Sequence, residues 1–175
     1  MNLIEEKKTE SIFRHNSFLF VAFTFMAFVP ASQAQGPADI RWGEEVSGLK
    51  VRIRECTESE REKEKAMMIF EVRNTSDQPV EFCWWQSPLE KCWTANRFKV
   101  MGPDGEVAYR GEVVKRSPPS KKNGDYTTLR PGWTLGVKFD LREAYEMKAG
   151  SKYLISYEGT LLSLPSSNSI KIEVP

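Results

Sequence analysis

The strongest constraint on this chain is an apolar pattern of period two that recurs along most of its length. Leu49, Val51 and Ile53 alternate with Lys50, Arg52 and Arg54, and Met68, Phe70 and Val72 alternate with Ile69, Glu71 and Arg73. Val80, Phe82 and Trp84 form a further set. Phe98 and Val100 run into the turn Gly102-Pro103-Asp104-Gly105, from which Val107 and Tyr109 return. Leu135, Val137, Phe139 and Leu141, then Tyr153, Ile155 and Tyr157, then Ile170, Ile172 and Val174 repeat the grammar. Alternation of this kind puts one face of a strand in a core and the other in water, and a helix cannot use it. The expected fold is all-β, an immunoglobulin-like antiparallel β-sandwich of seven to nine strands. Val51, Met68, Phe70, Phe82, Phe98, Val137, Phe139, Ile155 and Ile172 should share the core, and Lys50, Arg52, Lys138 and Lys171 should face water.

Ahead of these strands lies a segment of another kind. Lys7, Lys8 and Arg14 precede an unbroken apolar run from Phe18 to Val29, and Pro30-Ala31-Ser32-Gln33-Ala34 offers a small-residue exit. A membrane span needs about 20 apolar residues, so the run reads as a signal peptide over residues 1–34, cleaved after Ala34. Residues 35–47 form a lead-in and 48–175 the sandwich. The expected location is secreted or periplasmic, with no stable membrane anchor after cleavage. The 25 basic and 24 acidic residues nearly cancel, which disfavours a nucleic-acid partner.

Cleavage would also remove the single histidine, His15. A mature chain without imidazole lacks Ser-His-Asp triads, Cys-His nucleophiles and H-E-x-x-H zinc sites. No catalytic residue, cofactor or metal ligand is therefore expected, and the Glu-rich run Thr57–Lys65 reads as a solvated hairpin tip.

The order of short motifs carries a resemblance. Asn74-Thr75-Ser76-Asp77-Gln78-Pro79-Val80 is followed by Trp85-Gln86-Ser87-Pro88-Leu89, Tyr109-Arg110-Gly111 and Asp125-Tyr126. Leu129-Arg130-Pro131-Gly132, Asp140-Leu141 and Gly150-Ser151-Lys152-Tyr153 complete the series. This series resembles the β-sandwich N-terminal propeptide region of secreted deuterolysin-type zinc proteases, including the peptidyl-Lys metalloendopeptidases. The zinc motif of those enzymes is missing from these residues, and the expectation is of the propeptide-like part without the protease domain. The resemblance therefore implies the fold of a non-catalytic part and, as partner, a secreted zinc protease.

Three groups of residues are candidate sites. Cys83 and Cys92 bracket the segment WWQSPLEK, and strand parity puts Cys83 and Cys56 outward. A Cys83–Cys92 disulfide is the leading pairing in an oxidising compartment, with pairings through Cys56 left open. Parity also sends Trp84 inward and Trp85 outward, so Trp85 and Trp93 are candidate contact anchors, for a protein or for a sugar ring. The basic loop from Lys115 to Asp125 offers Lys115, Arg116, Lys121 and Lys122 as charged probes of a partner's cleft. Three functions fit these residues: a binding domain for a protein partner, a propeptide-like inhibitor or chaperone of a protease, and a carbohydrate-binding module.

Overall fold

The computed structural model describes residues 41–57, 59–60, 66–159 and 164–175. The signal-peptide reading of residues 1–34 lies outside them, as does most of the Thr57–Lys65 run. Among the described residues nine strands form: β1 (Leu49–Glu55), β2 (Met67–Asn74), β3 (Val80–Cys83), β4 (Phe98–Gly102), β5 (Gly105–Glu106), β6 (Tyr126–Leu129), β7 (Thr134–Asp140), β8 (Lys152–Tyr157) and β9 (Ser169–Glu173). All named ladders are antiparallel, in sheets of order β1-β2-β7, β3-β6 and β5-β4-β8-β9. The all-β expectation holds.

The core lies where β2 and β7 face β4 and β8. Phe70 meets Tyr157 edge-on with ring centroids 4.9 Å apart, and Phe98 lies 5.1 Å from Phe139. Val51, Met68, Phe70, Phe82, Phe98, Ile155 and Ile172 are buried as the alternation requires. Val137 and Phe139 are only half-buried, and Leu135 is exposed, because β7 is an outer strand of its sheet. Lys138 and Lys171 face solvent. Lys50 and Arg52 lie on the outer face but are half-covered: Arg52 pairs with Glu71 and stacks over the ring of Trp42. That burial of the stem leaves the charge paired rather than solvated.

The sequence Asn74–Pro79 explains how the sheets are joined. The β2–β7 and β3–β6 ladders are successive parts of one two-stranded ribbon, bent where Thr75–Pro79 lies opposite Arg130–Trp133. At the bend, the wholly buried Asn74 donates from Nδ2 to the carbonyls of Gln78 (2.7 Å) and Leu129 (2.8 Å). Its Oδ1 accepts from the amide and hydroxyl of Ser76 at 2.9 and 2.7 Å. Short polar side chains compete in this way for main-chain groups that a strand can no longer pair. Across the bend, Gly132 takes φ 73°, a value that suits glycine, and donates to the Asn74 carbonyl at 3.0 Å.

Removing that amide should be expensive, because the buried Leu129 carbonyl loses a donor and the Gln78 carbonyl keeps only the Ser76 hydroxyl at 2.9 Å. Asn74→Ala is expected to destabilise the fold by about 3 kcal/mol, read as a lower urea midpoint with little change in slope. Asn74→Asp would aim a carboxylate at the same carbonyls and should lose at least as much at neutral pH.

Candidate binding surface

The segment after β3 inverts the parity on which the site reading depended. β3 ends at Cys83, and two 3-10 turns follow, Trp84–Gln86 and Pro88–Glu90. Ser87 between them is fully buried; its hydroxyl donates to the Trp84 carbonyl at 2.8 Å and accepts from the Leu89 amide at 3.3 Å. Pro88 fits the first position of the second turn because that position needs no donor. A turn of three residues per revolution destroys a two-residue alternation. Trp85 consequently turns inward, and Cys83, still in β3, is buried as well, correcting the outward expectation for both, while Trp84 is half-exposed and donates from Nε1 to the Gly124 carbonyl at 2.9 Å. Cys56, also expected outward, is buried.

The expected Cys83–Cys92 disulfide is not formed in the structure. Cys83 is buried and Cys92 is exposed, and the three cysteines are thiols. Burial raises the pKa of Cys83 and of Cys92 above the ordinary thiol value, and Glu90 adds to the rise at Cys92. Neither is therefore set up as a thiolate nucleophile.

Trp85 is covered from within. Arg116, from the basic loop, stacks its guanidinium 5.0 Å from the centre of the Trp85 ring and pairs with Glu90. Glu90, only 4% exposed in its side chain, also accepts from the Thr94 hydroxyl at 2.7 Å and lies 3.7 Å from Arg97. Arg97 in turn donates to the Trp85 carbonyl at 2.8 Å. A buried carboxylate with two guanidiniums and a hydroxyl is a closed unit that fixes the loop and leaves little to offer a partner. Lys121 is occupied as well, paired with Glu81, which raises its pKa. Lys115 and Lys122 remain exposed.

Trp93 is held differently. Its ring lies 5.9 Å from each of Phe98, Phe139 and Tyr145, and its Nε1 donates to Glu143 at 2.9 Å. Tyr145, whose buried hydroxyl bonds Asn96 at 2.6 Å and has its pKa raised by burial, closes the far side of the cluster. Half-buried and fixed by four partners, Trp93 lines a cavity of about 470 Å³ together with Met67, Lys91, Cys92, Val137 and Phe139. A second depression of about 400 Å³ shares Lys91, Gly136 and Val137 and extends to Leu135 and Tyr126. Together they form a trough along β7.

The outer edge of β7 borders this trough. The Asn74 amide donates to the Trp133 carbonyl, and the Leu141 amide to the Ala66 carbonyl. These bonds at both ends of the ladder fix its phase: Leu135, Val137 and Phe139 turn their main-chain groups toward β2. Gly136 and Lys138 turn theirs away, toward the trough. Sequence reasoning missed this edge, having assigned Val137 and Phe139 to the core alone; an outer strand has no signature in its own alternation.

Among the described residues no cluster of three or more His, Cys, Asp and Glu is placed to hold a metal, and no helix is long and apolar enough to cross a membrane. No family model matches the chain. A stretch of 86 residues, 49% of the chain, is 35% identical to an extracellular protease of Aeromonas hydrophila, and the match spans 24% of that protein. The similarity therefore concerns about a quarter of the relative's length. It links the chain to a secreted protease without assigning it that protein's activity.

The internal role of Arg116 is directly testable. Arg116→Ala should lower stability by about 1–2 kcal/mol and shift tryptophan emission to the red as Trp85 gains water. An unchanged emission spectrum would show that Arg116 does not cover this ring.

Proposed function

We propose that this chain is a secreted, non-catalytic binding domain whose partner is an extracellular protease, which it inhibits or escorts in the manner of a propeptide. The observation that carries the reading is the trough along β7: an open cleft lined in part by aromatic side chains, beside a strand edge that no described strand pairs, a form suited to holding a segment of another protein. The partial identity to an extracellular protease is compatible with a protease-related partner and supports this reading. The resemblance to the propeptide region of deuterolysin-type enzymes favours zinc proteases. The single histidine, His15, lies in the expected signal peptide, which supports a role in binding rather than in imidazole-based catalysis. The carbohydrate alternative loses its principal support, since Trp85 is stacked beneath Arg116 and Trp93 presents only part of its ring.

Titration of the purified protein against secreted zinc proteases, followed by hydrolysis of a lysine-containing peptide and by complex formation, tests this reading. A one-to-one complex at tens of micromolar or tighter is expected. Exchanging Lys115 and Lys122 together for alanine should slow association and weaken its salt dependence while leaving dissociation nearly unchanged, because these exposed cations act before docking. The absence of any complex across several such proteases would remove the protease from the account.

A further inference from the structure

The two outer edges of the β1-β2-β7 sheet are treated in opposite ways. Along β1, most of the outward main-chain groups from Leu49 to Ile53 are met from within the chain. Val46 and Leu49 exchange amide–carbonyl bonds at 3.0 Å, and the Gly43 amide donates to the Val51 carbonyl at 2.8 Å. Asn168 completes the edge with its side chain: Oδ1 accepts from the Ile53 amide at 2.9 Å and Nδ2 donates to the Ile53 carbonyl at 3.0 Å. An amide side chain presents one donor and one acceptor, as a strand residue does, so Asn168 blocks the ladder there.

Along β7 no described strand does this. Gly136 and Lys138 direct their amides and carbonyls into the trough, which runs beside the strand from Leu135 to Asp140. At about 3.3 Å per residue, that length accepts an extended segment of roughly six residues. The lining mixes apolar and charged side chains: Trp93 and Phe139 stand with Arg97, Asp140 and Glu143 in one depression, and Leu135 and Tyr126 with Thr127 in the other. Lys91 stands where the two depressions meet. It is exposed, held in the left-handed region at φ 60°, and among the described residues no carboxylate forms an ion pair with it. Nearby acids are already engaged: Glu143 by the Trp93 indole, and Asp140 by the Arg142 amide at 3.0 Å.

We infer that the free edge of β7 binds an extended peptide segment of its partner by strand addition, a segment with apolar residues at alternate positions and a carboxylate opposite Lys91. Main-chain bonds to Gly136 and Lys138 supply the ladder, the apolar side chains of the lining select alternate side chains, and Lys91 sets the register by charge. This inference deepens the binding-domain reading and rests on it.

The probe is an acetylated and amidated decapeptide of alternating Val and Thr with one central Glu, alongside a copy whose central residue is Lys. Added to the isotope-labelled protein, the Glu peptide should shift the amide resonances of Gly136 and Lys138 and those of the trough. The Lys peptide should bind about tenfold more weakly, and Lys91→Glu should reverse that order. A Glu peptide methylated on alternate main-chain nitrogens should lose binding, since it cannot donate to the ladder. Equal binding of the methylated peptide, no binding of either peptide at millimolar concentration, or binding that leaves Gly136 and Lys138 unmoved would each overturn the inference. Concentration-dependent shifts at Gly136 and Lys138 without peptide would overturn it in favour of a second copy of this chain. A protease complex that forms equally well with Lys91→Glu would refute the trough and keep the protease. Peptide binding without any protease complex would do the reverse.

Discussion

The amide side chain of Asn74 is the interaction on which the arrangement depends. Two strands that run as one ribbon must change direction to close over a core, and a bend leaves main-chain groups without a ladder. One buried asparagine replaces the missing bonds on both sides at once: two carbonyls from different turns receive its protons, and its oxygen holds Ser76. Because a buried carbonyl without a donor is costly, the bond to Leu129 holds the bend in this geometry. That geometry carries β6 away from the line of β7 and leaves a depression between them, bordered by Tyr126, Leu135 and Gly136. The bend and the trough thus share one cause.

A second constraint acts on charge. The protein is rich in ionic side chains yet almost neutral, and many are spent internally. Glu90 collects Arg97 and Arg116, Arg54 joins Glu60 at 2.8 Å and Glu71 at 3.4 Å, and Lys121 is taken by Glu81. Glu60 is pulled down to a pKa of about 2 by its bonds to Arg54 and Thr57. Such pairing fixes loops more than it adds stability. Several exposed cations among the described residues have no ion-paired acid, and of these Lys91 lines both depressions along β7.

The strands were legible because alternation is a direct consequence of strand geometry: β1, β2, β4, β8 and β9 stand where Leu49–Ile53, Met68–Val72, Phe98–Val100, Tyr153–Tyr157 and Ile170–Ile172 put them. The turn chemistry of Asn74–Pro79 was legible too, though not that one side chain would bridge two turns, since Leu129 is distant in sequence. The binding candidates fared less well, for a definite reason. Parity was extended from β3 through Cys83, Trp84 and Trp85, but the 3-10 turn begins at Trp84 and rotates the chain, so Trp85 enters the interior, and Cys83 at the end of β3 is buried too. Arg116 read as a free cation because its partners, Glu90 and Trp85, come from another loop. Trp93, read as a contact anchor, is half-buried and lines the cleft. The β7 side of that cleft stayed hidden, because only the sheet order shows that β7 has no outer neighbour among the described strands.

At the centre of this account is an open, main-chain-presenting edge on β7 in the unliganded protein. Hydrogen exchange resolved by residue tests it without any partner. The phase of the β2–β7 ladder requires alternation along the strand: the amides of Leu135, Val137 and Phe139, bonded to β2, should be strongly protected, while those of Gly136 and Lys138 should exchange near the rate of exposed loops. Uniform protection from Leu135 to Phe139 would mean that the outer edge is already paired, and would contradict the account.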